Sequence, residues 1–312
     1  MRGAISGGMG AGLEHLDLLN TFDAVYGASS GAFNAVFFVA KQAVYATSVY
    51  YEFLNNRRFI NFRRFFSREP IVSLNHVLEH VIVKEKILDW RTVLESAIPF
   101  KVVASSVDKL KSQILSDFTT KDSLFAALHA SSNMPLVAGP PFQLDGDRFV
   151  DASLFEAIPL QSAINDGCTH LLVLLTRPNG RLKKASVLDR VVATRLNKIR
   201  SGLGSCYLES NNSYNDTVRL IQEAHRSFQG PPYIFSVSLP RGYHEIRRME
   251  RRRNVILQAT KDGMRAALEV FVPEELVMVE TLIPVDSSGH ICKVSWQFKE
   301  VLKDRGESHS PE

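Results

Sequence analysis

The amino-acid sequence predicts an α/β fold in which helices cover both faces of a mostly parallel central sheet. Short apolar segments alternate along the chain with longer helical patterns, as expected for strands that are joined by crossover helices. The short segments are mostly apolar and do not alternate strictly with polar residues, which is typical of strands buried on both faces. With 312 residues, of which 45% are hydrophobic and 22% charged, the chain is long enough to bury a substantial core.

Four apolar segments are predicted as strands of this sheet, at residues 22–26, 100–107, 148–150 with the approach to them, and 170–176. The main helical patterns between them lie at residues 31–51, 74–83 and 123–132. Beyond them, helices are predicted over much of residues 185–228 and 245–271, with a strand-like segment at 233–239.

The whole pattern predicts two parts of the chain. Residues 1–275 form the α/β domain, and residues 276–312 form a C-terminal extension whose polar tail is partly disordered. The sequence contains no internal repeat that would divide the domain further.

The composition argues against several classes of protein. A formal net charge of +4 is too small to indicate nucleic-acid binding, and no apolar run approaches the roughly 20 residues that span a bilayer. Three widely spaced cysteines, without a Cys-x-x-Cys or Cys/His cluster, indicate neither a metal site nor a disulfide framework. We expect a cytoplasmic protein without a cofactor, and the oligomeric state stays open.

The segment Gly27-Ala28-Ser29-Ser30-Gly31 is a G-x-S-x-G motif between a predicted strand and a long apolar helix. This context is typical of a nucleophile elbow, which exposes a serine on a sharp turn at the N-terminus of a helix. It predicts Ser29 as the nucleophile, with Gly27 and Gly31 needed because larger side chains would collide with neighbouring backbone. Ser30 has the wrong spacing to the glycines, and a structural serine in a tight turn is the alternative.

The candidate base is Asp151, which follows an apolar strand end and begins a turn. None of the nine histidines stands in a recognisable acyl-hydrolase setting. The position of Asp151 predicts a carboxylate at the carboxyl edge of the sheet, where burial would make it a stronger base. An isolated aspartate of this kind is more often a turn or N-cap residue. Asp145 and Asp147 are predicted as solvated turn residues.

Together, these two sites make the chain resemble the patatin-like phospholipase family, in particular its bacterial members, over roughly residues 1–275. Met1-Arg2-Gly3 is similar to the end of the family's Gly-rich oxyanion loop, and Ser29 and Asp151 occupy the positions of its nucleophile and its D-G-G/A aspartate. The resemblance implies a three-layer α/β/α fold and a Ser-Asp dyad that cleaves fatty acyl esters of phospholipids or glycerides through an acyl-enzyme. It assigns Arg2 and Gly3 to the oxyanion hole and requires no cofactor.

The sequence departs from the family pattern in two places. Ala152 stands where the family has glycine, and an alanine with a positive φ would be strained by about 1 kcal/mol or more, which would tilt Asp151. The family's first strand and three loop glycines have no counterpart before Met1, so we expect the chain as given to be a poor and poorly stable catalyst. The alternative function is a catalytically impaired lipid-binding or interaction protein.

Three further segments of the sequence are interpreted against an alternative structure or function. The glycines from Gly7 to Gly12 are predicted as the start of the first helix, close to the elbow, because Leu13 replaces the last glycine of a dinucleotide motif. Residues 57–66 interleave arginine pairs with phenylalanines, which suits contact with an anionic membrane surface. Their spacing favours a helical core stripe of Phe59, Phe62, Phe65 and Phe66 with solvated arginines. Residues 247–253 are predicted as a solvated basic helix.

Overall fold

A computed structural model describes residues 1–283, apart from residues 68, 179, 227–229, 241–242 and 244. The predicted polar tail therefore lies outside the described residues, as does the end of the predicted helical region at 227–228. The described strands are β1 (Val25–Ala28), β2 (Phe100–Ser106), β3 (Lys111–Leu115), β4 (Phe142–Leu144), β5 (Asp147–Val150), β6 (His170–Leu175) and β7 (Tyr233–Ser238).

The α-helices of the described residues range from single turns to 22 residues. They are α1 (Gly3–His15), α2 (Ser30–Val39), α3 (Ala43–Ala46), α4 (Arg64–Ser67), α5 (Trp90–Leu94), α6 (Lys121–Ser132), α7 (Leu160–Asn165), α8 (Val187–Ile199), α9 (Leu203–Ala224), α10 (Arg253–Phe271) and α11 (Val279–Leu282). The described residues also form two π-helical segments, Val49–Phe53 and His76–Glu85. They form three 3-10 segments, Leu18–Thr21, Ala152–Leu154 and Pro273–Met278.

The predicted α/β class is confirmed, and its strands form one sheet of five and one of two. Strand β1 runs parallel to β2, and β6 runs parallel to β7. The remaining three pairings, β2 with β3, β2 with β5 and β4 with β5, are antiparallel. The apolar runs therefore give parallel pairs at β1–β2 and β6–β7, whereas β5, which also follows from an apolar run, and the strands β3 and β4 pair antiparallel and make the larger sheet mixed.

Helices cover both faces of the strands, as in a three-layer α/β/α domain. Val102 and Val103 of β2 are both completely buried, on opposite faces, because successive side chains of a strand alternate. Val102 belongs to the main core, and Val103 packs with Ala28 and Ala152. The same alternation divides β6 between the main core and a cluster that includes Ile221 of α9.

The glycines of α1 allow this helix to lie in backbone contact with α10. A Cβ atom on Gly8 would be 1.9 Å from the carbonyl oxygen of Thr260, and one on Gly263 would be 2.0 Å from that of Ile5. Neither neighbour can move without separating the helices, because both contacts are to backbone. The prediction that the glycine-rich segment is helical is confirmed, and Gly3, at its start, lies against Ser30 of the elbow.

Several predicted helices break where other parts of the fold intervene. The pattern at residues 31–51 is divided into α2, α3 and a π-helical turn, with Lys41 in the left-handed region and the Glu14 carboxylate of α1 accepting the N–H of Ala43. Residues 245–252 are irregular rather than helical, because the Glu250 carboxylate accepts the N–H groups of Arg251 and Arg252 before α10 begins. The predicted basic helix at 247–253 is therefore wrong.

The core stripe predicted for residues 57–66 is also wrong. Phe62, Phe65 and Phe66 are 56%, 61% and 86% exposed, and only Phe59 packs against the main core. The chain turns at residues 57–59 and again before the short helix α4, so the four rings do not share one helical face. No helix of the described residues has the length and apolar character that crossing a bilayer requires.

The two sheets meet at a gap between β1 and β6. Among the described residues β1 pairs only with β2 and β6 only with β7, so each strand has one edge without a strand partner. The Tyr26 hydroxyl of β1 donates to the Asp166 carboxylate just before β6 at 2.7 Å, which holds the start of the two strands near each other.

We expect Gly8→Ala to lower the free energy of unfolding by about 1–3 kcal/mol or more, because a methyl group there forces α1 away from α10. Gly10→Ala is the matched control in the same helix, since the nearest atom to its added Cβ is 4.0 Å away. Urea denaturation followed by circular dichroism measures both. Equal midpoints for the two variants would contradict the close helix contact.

Candidate active site

Ser29 occupies a strained turn between β1 and α2. Its φ of 53° and ψ of −128° lie in a region that residues with a side chain rarely adopt. The turn needs Gly27, whose added Cβ would be 2.4 Å from the Cα of Ala32. It does not need Gly31 for steric reasons, because a Cβ there would meet no atom within 4 Å. The prediction that both glycines avoid collisions is thus wrong for Gly31, which instead borders a cavity.

The side chains of Ser29 and Asp151 are in direct contact, with 2.5 Å between Oγ of Ser29 and Oδ2 of Asp151. Asp151 is only 2% exposed. Its other carboxylate oxygen accepts the N–H of Ser153 at 2.9 Å, and its own N–H donates to the carbonyl of Asn133 at 2.9 Å. The aspartate is therefore an N-cap residue of the 3-10 segment and a partner of Ser29 at once.

The register of the sheet explains why these two distant residues meet. Ala28 lies opposite Val103 on one side of β2, and Val150 lies opposite Ser105 on its other side. One residue further along, both Ser29 and Asp151 come to the level of Ala104. The expectation that Asp151 follows a strand at the carboxyl edge of a parallel sheet is wrong, because β5 is antiparallel to β2. The two strands end midway along β2, facing each other across it.

Ser131 supports the elbow, and sequence reasoning did not identify it. The N–H of Ser29 donates to Oγ of Ser131 at 2.8 Å, and that hydroxyl donates to the carbonyl of Val103 at 2.6 Å. The chain of two hydrogen bonds ties the strained peptide to β2 and to the end of α6. The only signal in the sequence is a pair of small polar residues at the end of an apolar helical pattern.

Two predictions about residues near Asp151 are wrong: Ala152 is not strained, and Asp147 is not solvated. Ala152 lies in the 3-10 segment with no positive φ, so the alanine is not strained and does not tilt Asp151. Asp147 is buried, where it accepts from the Ser106 hydroxyl at 2.8 Å and pairs with Lys109 at 3.2 Å. Asp145 is an exposed turn residue, as predicted.

The start of α1 is fixed beside the elbow by a small polar network. The Asn34 amide donates to the carbonyl of Gly3 and to the Ser6 hydroxyl, both at 2.8 Å, and the Tyr50 hydroxyl donates to the Asn34 side-chain oxygen at 2.8 Å. Burial raises the pKa of Tyr50, against the effect of its hydrogen bond to Asn34. Gly3 and Arg2 thus both border the cavity next to Ser29, and the first N–H groups of a helix have no partner within it.

A cavity of about 500 Å³ opens beside the dyad. Ser29, Asp151 and Ser153 contribute polar groups to its wall, and one side follows the gap between β1 and β6. The opposite side is apolar and is formed by α2, the π-helical segments and the loops around residues 60 and 72, through Phe33, Phe37, Leu54, Phe59, Ile60, Val72, Leu74 and Met134. Ser29 and Asp151 therefore lie in the wall of a cavity that is lined largely by apolar side chains.

Other candidates for a base or for a ligand group do not converge on Ser29. None of the described hydrogen bonds of Ser29 and Asp151 involves a histidine. His129 packs on Phe142, and burial lowers its pKa. Within the described ranges, no group of three His, Cys, Asp or Glu side chains comes together in a way that would hold a metal ion.

Comparison with known proteins agrees with this architecture. The family model for patatin-like phospholipases matches residues 1–164, which contain the elbow, the Asp151 turn and the strands between them. The chain belongs to the patatin-like phospholipase family.

One relative is the uncharacterized protein YjjU of Escherichia coli K12, which is 24% identical over 230 residues. The match covers 73% of this chain and spans 62% of the length of that protein.

We expect Ser131→Ala to destabilise the fold by about 1–3 kcal/mol, because the buried N–H of Ser29 and the carbonyl of Val103 both lose their partner. Ser132→Ala is the neighbouring control, since the Ser132 hydroxyl oxygen has no hydrogen-bond partner in the described structure. Thermal and urea unfolding give the comparison. If both alanine variants unfold together, Ser131 does not hold the elbow.

Proposed function

We propose that this protein is a serine acyl hydrolase that cleaves fatty acyl ester bonds with Ser29 as the nucleophile and Asp151 as the general base. The observation that carries the proposal is the 2.5 Å hydrogen bond between the strained Ser29 and the buried Asp151 carboxylate. A nucleophile within hydrogen-bond reach of an oriented base is the arrangement that covalent catalysis requires. Membership of the family supports a hydrolase of lipid esters.

In the first step, Asp151 takes the proton of the Ser29 hydroxyl as its oxygen bonds to the ester carbonyl carbon. The carbonyl electron pair moves to the oxygen, which the N–H of Ser30 at the start of α2 and that of Gly3 would stabilise. Collapse of this intermediate breaks the ester bond, and the alcohol leaves with the proton from Asp151. Water, deprotonated by Asp151, then attacks the acyl carbon of the acyl-enzyme. The bond between this carbon and Oγ of Ser29 breaks, Asp151 returns the proton to Ser29, and the fatty acid is released.

The cavity supports an acyl chain as the part of the substrate that is recognised. Its volume of about 500 Å³ lies within the range of small-molecule sites, about 300–1,000 Å³. The free energy of binding becomes more favourable when a hydrocarbon chain displaces water from the apolar wall. The bond to be cleaved would lie at the polar end, at Ser29 and Asp151.

We expect Ser29→Ala to abolish hydrolysis of short-chain p-nitrophenyl esters without unfolding the protein, because Ser29 has the only hydroxyl among the described residues that hydrogen-bonds to Asp151. Asp151→Asn should be about as damaging, and the double variant hardly worse than either, because the two residues act as one unit. Initial rates, with circular dichroism as the folding control, measure this.

Two results would contradict the proposed dyad. If Ser29→Ala retains activity, another residue is the nucleophile, and if Asp151→Asn retains activity, another residue is the base. The alternative is a catalytically impaired lipid-binding protein. It would be supported if the folded protein binds lipid, cleaves no ester and is not labelled at Ser29 by a fluorophosphonate probe.

The proposal includes contact with a membrane surface through an aromatic–arginine patch (Arg57, Arg58, Phe62, Arg63, Phe65 and Phe66). All six side chains are exposed. The same segment reaches the cavity through Phe59 and Ile60. Aromatic rings that enter an interface, flanked by cations that meet lipid phosphates, suit an anionic bilayer.

We expect the triple change of Phe62, Phe65 and Phe66 to Ser to weaken binding to anionic phosphatidylglycerol vesicles by about tenfold or more, because exposed rings lose their apolar contact. The control changes Val187 and Leu188, which are 85% and 71% exposed on α8, to Ser. Vesicle co-sedimentation compares the two. Equal binding by both variants would rule out the patch.

A further inference from the structure

A cluster of cations surrounds the polar end of the cavity. Arg2, Arg177, Lys183 and Arg248 all border the same space as Ser29 and Asp151. The main carboxylate among them is Glu245, which pairs with Arg2 at 2.8 Å and with Arg177 at 3.8 Å. A third pair joins Glu245 to Arg181 at 3.2 Å, and the Arg181 side chain is exposed.

Two cations of this cluster have no anionic partner in the described part of the chain. The Lys183 ammonium lies 4.3 Å from the centre of the Tyr214 ring and makes no ion pair, and the Arg248 guanidinium makes none either. Arg2 also has a buried Nε without a hydrogen-bond acceptor. The free protein thus holds more positive charge here than Glu245 can balance.

The backbone around Lys183 is built to hold this ammonium in place. Asn215 accepts the N–H of Lys183 at 2.7 Å and donates to its carbonyl at 3.0 Å. Burial, followed by the charges of Arg248, Arg177 and Arg2, lowers the pKa of Lys183 to about 8, whereas the Asp151 charge acts in the opposite sense. The ammonium is therefore close enough to the dyad to sense Asp151 and close enough to three arginines to be repelled by them.

We propose that this cation cluster binds the phosphate group of the substrate, so that the enzyme prefers acyl esters whose alcohol part carries a phosphate. The inference rests on the proposed hydrolase function. Arginine forks and a lysine ammonium match the oxygens and double charge of a phosphate, and a bound phosphate would offset the excess positive charge. With the acyl chain on the apolar wall, the ester bond falls between the two contacts, at Ser29.

The test compares two esters with the same acyl chain, 1-acylglycerol 3-phosphate and 1-acylglycerol. The ratio of their kcat/KM values should be about tenfold or more in the native chain, since a charge-assisted contact is worth about a factor of ten. Lys183→Met should bring the ratio close to one, and Arg248→Gln, an exposed position that does not endanger folding, should lower it as well. Lys198→Met, which removes the same charge from the exposed face of α8, should leave the ratio as it is.

A binding measurement separates this inference from the proposed function. Calorimetry with the Ser29→Ala variant should show the phosphate-bearing ester binding about tenfold more tightly than the neutral one, with the difference lost on adding Lys183→Met. Such binding without hydrolysis by the native chain would support the inference and overturn the hydrolase. Hydrolysis of both esters at a ratio of one, or an equal effect of Lys183→Met and Lys198→Met, would overturn the inference and leave the hydrolase.

Inorganic phosphate distinguishes the source of the phosphate group. Weaker binding of inorganic phosphate than of the phosphate-bearing ester to Ser29→Ala supports a lipid ligand that uses both ends of the cavity. Equal affinity would overturn the proposal, because the site would then take a free anion and gain nothing from the acyl chain.

Discussion

The short hydrogen bond between Ser29 and Asp151 joins residues that are 122 positions apart, and much of the domain serves to bring them together. Strand β2 is the common reference, because β1 lies on one side of it and β5 on the other, and both end at the level of Ala104. If either pairing shifted by one residue, Ser29 and Asp151 would no longer lie at the same level. The side chain of the shifted residue would also point to the opposite face of the sheet. Three contacts hold this register: the packing of Val103 with Ala28 and Ala152, the buried contact between Asp147 and Ser106 at the start of β5, and the hydrogen bonds of Ser131.

The elbow concentrates local strain that its surroundings hold in place. Ser29 has an unfavourable backbone conformation, and a residue in such a conformation persists only where neighbouring contacts determine it. Here Gly27 leaves room for the turn because it has no side chain. The hydroxyl of Ser131 and the start of α2 then hold the turn in place. The glycine-rich helix α1 contributes as well, because its close approach to α10 and the Asn34 network fix Gly3 beside the elbow.

The cavity beside the dyad is divided in its chemistry. Apolar side chains from α2 and the loops before α6 form one wall, and the cation cluster of Arg2, Arg177, Lys183 and Arg248 forms the polar end. An ester that reaches Ser29 would present its hydrocarbon chain to the first and its alcohol part to the second. The exposed aromatic–arginine patch lies on the segment that contributes Phe59 and Ile60 to the apolar wall, so the cavity and the surface that would meet lipid adjoin along the chain.

The sequence by itself determined the α/β class and the main strands, and it singled out Ser29 and Asp151 as the candidate pair, because apolar runs and the G-x-S-x-G motif are local signals that do not depend on distant residues. It also identified residues 1–3 as neighbours of the elbow, through the resemblance to the family. The mixed pairing of the larger sheet, the break after α2 and the loss of the predicted helix at 247–253 were decided by contacts with distant residues such as Glu14 and by side-chain hydrogen bonds such as those of Glu250. Only the tertiary structure could show Ser131, the exposure of Phe62, Phe65 and Phe66, and the meeting of Arg177, Lys183 and Arg248 near Asp151, because each depends on which faces of separate elements pack together and which remain open.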